Sequence, residues 1–454
     1  MPAARKRATR AIIISDLHLG GSPPYMMSRP ERLAAFLESL PASLLDDETL
    51  ELVIAGDFID FLAIPEQASW TPDPYAARDK LVRTMTGSSV FAPVFAALAR
   101  LVEAGHRITI LIGNHDVELA LPQVQDALLA QLGASRHQVL FVDDGRAYRI
   151  GRALIEHGNR YDGANVNDWT GLRVIASALS RGEEPPVALK VSAGSLIVEN
   201  VINHIKPRYP FIDLLQPQGE LVALLLVAFE PALAWQADKL ARILQGKRLQ
   251  GENLEGIQPG RTRNVAHLPI NEEFDEELSE AFGKTYQQLR QTPTQVGLGD
   301  VLSIALAARE DSLAAILARG DSVPSKRLLQ IQLAMRRLLL DDHSDRPDGP
   351  TEQYGAAASR LIEHSKGEIE TVVMGHTHLA RQLGEAKRAN YINTGTWADV
   401  VRVPVGALED EGTLEVFLRD LHTDRLRDSP RTYADLRVEA DGRVMRATLE
   451  RAAP

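Results

Sequence analysis

The 454-residue chain contains no cysteine. That absence excludes disulfides and thiolate metal ligands and leaves the redox compartment open. Any metal must then be held by oxygen and nitrogen donors, which suit Mn, Fe, Zn or Mg better than Cu(I) or iron–sulfur clusters. Long apolar runs are missing too. The most apolar stretch is Leu221–Phe229, which ends at Glu230–Pro231. A bilayer-spanning helix needs roughly 20 residues, so the reading is a soluble, cytoplasmic protein, with peripheral membrane contact left open. Positive charge is also in deficit. A formal net charge of −11 argues against a non-specific nucleic-acid coat, although it does not exclude a basic groove on one face. Near the start, Arg5, Lys6, Arg7 and Arg10 are followed at once by the short run Ala11–Ile14. This run is too short for a signal h-region, and the basic residues read as a frayed terminus.

What is present is alternation of strand-like and helix-like segments. A helical pattern around Glu31–Leu40 precedes a strand at Leu50–Ala55. A helix over Val90–Ala104, closed by Gly105, precedes a strand at Arg107–Ile112. Strands follow at Gln138–Val142 and Tyr148–Glu156. This βαβ pattern predicts a layered α/β fold. From about Asp168 to Gly367 helical periodicity takes over, in Val187–His204, Glu220–Leu244, Asn271–Leu289, Val301–Leu317 and Lys326–Leu340. Pro231 is expected to kink the second of these. Strand signals return at Thr371–Met374, Ala389–Thr394, Val400–Val405 and Thr413–Leu418. A hairpin follows, Leu436–Ala440 and Val444–Leu449, joined by Asp441–Gly442. The expected organisation is a discontinuous core, 11–168 with 368–450, interrupted by a helical insertion or cap, 169–367.

Five short segments place His, Asp or Asn at apparent strand ends. They are SDLH (Ser15–His18), GDFID (Gly56–Asp60), GNHD (Gly113–Asp116), HGN (His157–Asn159) and GHTH (Gly375–His378). In an open α/β sheet, ligands collect beyond the carboxyl ends of the strands. Each segment alone could be ordinary turn chemistry. Five in order point to a two-metal hydrolytic site. Asp16 and His18, two apart, can face one cation, and so can His376 and His378. Asp57 is a carboxylate that can bridge two cations, Asn114 offers an amide oxygen, and His157 an imidazole. A hydroxide bridging such ions would form near neutral pH, and the ions could clamp the entering and leaving oxygens of an in-line displacement. His115, next to Asn114, is placed to act as general acid, with Asp116 orienting its imidazole.

This set resembles the calcineurin-like metallophosphoesterase superfamily, whose signature D-x-H, GD, GNH, a lone His and GHxH appears here complete and in order. The resemblance covers roughly 11–168 and 370–405. It implies a four-layer αββα sandwich. It also implies that Asp16, His18, Asp57 and His378 hold a first divalent ion, and that Asp57, Asn114, His157 and His376 hold a second, with Mn the leading metal. HGNRYDGAN (His157–Asn165) and YINTGTW (Tyr391–Trp397) are similar to bacterial UDP-2,3-diacylglucosamine hydrolases of lipid A synthesis. The chain departs from that group in having His115 where an Arg is usual, and in its much longer insertion.

The expectation is therefore a metal-dependent phosphoester hydrolase acting on a small-molecule or lipid substrate, a phosphomonoester or a phosphodiester. The alternatives are a lipid A-type pyrophosphohydrolase, a nuclease, which the acidic balance disfavours, and a scaffold without chemistry. The remaining histidines, His106, His137, His204, His267, His343, His364 and His422, read as surface or capping groups. Arg208 could reach a substrate phosphate or serve a structural loop. Leu221–Phe229 could grip an acyl chain or fill a core. Trp397 could rim the site or pack a sheet edge.

Overall fold

The computed structural model describes residues 8–46, 48–64, 70–71, 73–216, 220–229, 313–341 and 353–453. The chain divides into two compact units. The first comprises Met1–Glu199, Thr351–Asp399 and Ser429–Pro454; the second comprises Asn200–Pro350 and Val400–Asp428. The division thus falls about thirty residues later than expected on the N-terminal side, and Val400–Asp428 joins the second unit. The predicted helices Asn271–Leu289 and most of Val301–Leu317, and the kink at Pro231, lie outside the described residues.

In the first unit, β1 (Ala8–Ile14), β2 (Glu48–Ala55), β3 (Arg107–Leu111) and β4 (Val139–Val142) pair in parallel. On the other side of β1, the C-terminal hairpin β12 (Thr432–Val438) and β13 (Val444–Arg451) pairs antiparallel to it through β12. The sheet continues through β10 (Arg388–Thr394), β8 (Thr371–Met374) and β6 (Ala153–Ile155), which run parallel to one another. It ends at β5 (Tyr148–Ile150), and β9 (Ala380–Glu385) flanks β10. The fold is mixed α/β on a large mixed sheet, with eleven strands among the described residues. The expected strand Tyr148–Glu156 folds back on itself as the antiparallel pair β5 and β6.

The stretches Ala11–Ile14, Leu52–Ala55 and Val372–Met374 read as unbroken apolar runs because both of their faces are buried. On one face Ile12, Ile14, Leu52, Ile54, Ile108 and Ile110 pack with Leu33, Leu81, Phe95, Leu128 and Leu172 from helices α1 (Pro30–Ser39), α2 (Pro74–Met85), α3 (Ala92–Glu103), α4 (Pro122–Leu132) and α5 (Trp169–Ser180). The alternate residues Ala11, Ile13, Val53, Ala55 and Leu111 share a second core with Ile155, Val373, Ile392, Leu436 and Ala447. A third core joins Leu154, Val372, Met374 and Tyr391 to Tyr354 and Ala358 of the helix Gln353–His364. Trp397 is buried and its ring lies 4.9 Å from that of Phe36, so it packs the first core.

The second unit holds the helices Glu220–Phe229, Leu313–Ala318, Ser325–Asp341 and Glu411–Asp420, with a parallel pairing of the short strands β7 (Leu215–Gln216) and β11 (Val401–Arg402). Tyr209, Phe211 and Phe229 meet edge-on or tilted at ring-centroid distances of 5.5–6.0 Å, and Leu221, Val222, Leu224, Leu225 and Ala228 are buried, so these residues fill a core. His422 edges the same rings rather than capping a surface. Thr413–Leu418, expected as a strand, is helical. Asp410 caps it by accepting the Thr413 N–H at 2.6 Å, and Leu414, Phe417 and Leu418 form its buried stripe at helical spacing. No described helix is long and apolar enough to cross a membrane.

Candidate metal centre

Strands β1, β2 and β3 end at Ile14, Ala55 and Leu111, and β6 and β8 end at Ile155 and Met374. Their carboxyl ends deliver all five segments to one place. Asp16, His18 and His378 converge with ligand atoms within 4.8 Å of one another, and Asp57, His157 and His376 do the same. His378 Nε2 lies 3.3 Å from Asp16 Oδ1 and 3.1 Å from His18 Nε2. His157 Nε2 lies 3.3 Å from Asp57 Oδ2 and 3.2 Å from Asn114 Oδ1. Asp57 Oδ2 is also 3.8 Å from His18 Nε2, so this oxygen stands between one imidazole of each cluster. The structure brings all seven predicted ligands together.

The backbone around them is unusual. Among the described residues, seven non-glycine positions have positive φ, and five of these are Asp16, His18, Asp57, His376 and His378. Such residues cost of order 1–3 kcal/mol each and persist where the surroundings over-determine them. Here the left-handed turns aim the side chains of consecutive strand ends inward. Two motif glycines make room for this. A Cβ at Gly113 would lie 2.5 Å from the Asp57 backbone nitrogen, and one at Gly375 would lie 2.5 Å from Asp16 Oδ2. Gly113→Ala is therefore expected to destabilise the fold by about 1–3 kcal/mol, through overpacking beside Asp57. Calorimetry of the metal-free protein measures it, and an unchanged unfolding midpoint would contradict the steric account.

The NTGT segment, Asn393–Thr396, braces two of the loops. Asn393 Nδ2 donates to Gly375 O at 2.8 Å, and Thr396 Oγ1 donates to Asp16 O at 2.7 Å. All three of Asn393, Thr394 and Thr396 are buried.

His115 is brought alongside the clusters, its ring 4.7 Å from that of His18. Its imidazole partner is not Asp116. His115 Nδ1 hydrogen-bonds Asp60 Oδ1 at 3.1 Å, while the Asp116 carboxylate accepts the backbone N–H groups of Phe58 at 2.7 Å and Gly113 at 2.6 Å. Asp116 thus latches the GDFID loop to the GNHD loop, and the orienting carboxylate comes from the first of them. Burial pushes the Asp116 carboxyl up to about 7, and Asp57 nearby adds to this against the two N–H donors. The signal for Asp60 was its place three residues after Asp57 in GDFID.

A cation fits this donor set. Asp16 and Asp57 are buried carboxylates, and among the described residues the only basic groups within ion-pair distance of them are imidazoles. Two imidazole nitrogens, of His18 and His378, face each other at 3.1 Å, and His18 Nδ1 has no hydrogen-bond partner. Buried carboxylates and imidazole nitrogens turned toward one another make a donor set that suits a cation between them. His157 is already oriented for it, because its Nδ1 hydrogen-bonds Ala55 O at 2.8 Å and turns Nε2 toward Asp57 and Asn114.

Without a metal the imidazoles must carry that charge. Burial disfavours the imidazolium of His115, but Asp57 and Asp60 outweigh it and push its pKa up to about 9. His157 is pushed up to about 10, burial again being overcome by Asp57 and Asp16. Burial drives His18 the other way, downward. A histidine raised above its unfolded value, about 6.5, gives stability that is complete below that pH and lost as pH rises through the folded value. Metal-free protein is accordingly expected to lose stability between about pH 6.5 and 10. Urea melts across that range measure the slope. Asp60→Asn should flatten it, and a slope unaltered by that change would contradict the His115–Asp60 pairing.

No protein-family model matches this chain, and a search of curated proteins finds no match.

Proposed function

We propose that this protein is a dinuclear metal-dependent phosphoester hydrolase of the calcineurin-like metallophosphoesterase type, with a four-layer αββα core. The observation that carries the reading is the convergence of seven O/N donors in two clusters that share Asp57. Support for the four layers comes from the three successive cores, one on each outer face of the sheet strands and one between them. Asp16, His18, Asp57 and His378 would hold one divalent ion, and Asp57, Asn114, His157 and His376 the other. Ions so held polarise phosphoryl oxygens and lower the pKa of bound water.

The chain's own groups then have distinct tasks. Asp57 accepts the His115 backbone N–H on Oδ1 at 2.9 Å and keeps Oδ2 for the clusters. His115 has the most exposed side chain of the site's imidazoles, at 18%, and so faces an entering substrate. Asp60 holds its Nδ1 and favours the protonated ring, leaving Nε2–H to donate to the leaving oxygen as the ester bond breaks. A completed donor set argues against a scaffold, since nothing in a scaffold would maintain five strained ligand positions.

The test is hydrolysis of aryl phosphomonoesters, aryl phosphodiesters and nucleotide-lipid pyrophosphates with Mn²⁺ and with EDTA. The expected result is Mn²⁺-dependent turnover of at least one class. Preference for the pyrophosphate in detergent would identify the lipid-type alternative. Turnover that EDTA leaves intact would overturn the proposal.

A further inference from the structure

The segment HGNRYDGAN supplies His157, but its other polar residues have no task in the chemistry above. Two of them reach ligands of the second cluster from behind. Asp162 Oδ2 accepts from His376 Nε2 at 3.1 Å, and the same oxygen accepts from Asn165 Nδ2 at 2.7 Å. Asn165 Oδ1 in turn accepts from Asn114 Nδ2 at 3.4 Å. One unbroken relay therefore runs His376–Asp162–Asn165–Asn114, joining two ligands from strand ends that are 262 residues apart in sequence (376 − 114).

We infer that Asp162 and Asn165 form a positioning bracket that sets the affinity of the second metal, built on the metal reading proposed above. The relay decides which atom each ligand presents. A carboxylate only accepts, so the proton of His376 sits on Nε2 and its Nδ1 is left as the electron-pair donor. The amide of Asn114 spends its NH₂ on Asn165, which turns Oδ1 forward toward His157 Nε2. Outer groups of this kind fix tautomer and orientation and raise ligand basicity.

The bracket is itself held rigidly. Asp162 Oδ1 accepts the Ala164 N–H at 2.9 Å, closing a turn, and Asn159 Nδ2 donates to Asn165 O at 2.9 Å. Gly194 N donates to Ala164 O at 2.8 Å, and Gly194 has no room for a Cβ because Asn165 Oδ1 occupies that space. Asn167 Nδ2 ties the same stretch to Gly113 O at 2.7 Å. The bracket touches His376 and Asn114, both of the second cluster, whereas His18 Nδ1 of the first cluster stands 3.8 Å from Asp60 Oδ2. The two ions should therefore respond differently to mutation of the bracket.

The test is Mn²⁺ binding to the full chain by calorimetry and equilibrium dialysis, for wild type, Asp162→Ala, Asp162→Asn and Asn165→Ala. We expect one of two ions to bind about 10–100-fold more weakly in Asp162→Ala and Asn165→Ala, with the other unchanged. Asp162→Asn retains an acceptor for His376 and should lose less than Asp162→Ala, which separates positioning from loss of structure. Two ions bound as in wild type, or both weakened alike, would overturn the bracket and leave the metal reading standing. Fewer than two ions on the wild type would overturn both.

Discussion

Asp57→Asn is expected to reduce Mn²⁺-dependent phosphoester turnover by about a thousandfold or more. Asp57 stands between the two clusters, with Oδ2 3.3 Å from His157 and 3.8 Å from His18. Its ionised form is strongly favoured: burial opposes ionisation, but His157 and His115 outweigh it and hold the carboxyl well below the usual range. An amide keeps the shape and removes the charge that both ions would share. Losing several kcal/mol of such stabilisation, at about 1.4 kcal/mol per tenfold, gives the stated drop. Steady-state kinetics at saturating Mn²⁺ measure it. A variant with more than a tenth of wild-type kcat would show that Asp57 does not join the two sites.

His115→Ala is expected to lower kcat by about 10²–10⁴-fold, the usual range for a positioned general acid, with KM changed little. The loss should depend on the leaving group. An ester of an acidic phenol needs little protonation and should lose least, whereas an alkyl ester should lose most. Asp60→Asn should follow the same dependence at smaller amplitude, because Asp60 reaches the leaving group through His115 Nδ1, although it also stands 3.8 Å from His18 Nδ1. Equal losses for both leaving groups would assign His115 to binding rather than to proton transfer.

The ligands were legible because they sit beside strand ends, where a short motif and an apolar run occur together. Ile12–Ile14 followed by Asp16 and His18 needs no long-range information. The orienting carboxylate was not legible in that way. Asp116 adjoins His115 in sequence, yet its carboxylate turns back to the Phe58 and Gly113 N–H groups. Asp60, 55 residues earlier (115 − 60), is brought to the ring only because β2 and β3 pair in parallel. The same limit hid Asp162 and Asn165, whose partners lie on β3 and β8 loops.

Local pattern failed in a different way at Thr413–Leu418. Its β-branched and aromatic residues read as a strand, but Leu414, Phe417 and Leu418 also satisfy a helical stripe, and the Asp410 cap decides between them. The division into units was displaced for a related reason. The helix Trp169–Ser180 looks like the start of a helical insertion, yet Leu172 and Ile175 pack into the core under β1–β3.

If the five strand ends build a site for two divalent ions sharing Asp57, elemental analysis after equilibrium dialysis against Mn²⁺ should find two ions per wild-type chain. Asp57→Asn, dialysed in parallel, should lose bound metal. Wild-type protein that is folded yet retains no stoichiometric Mn²⁺ would contradict the two-ion site.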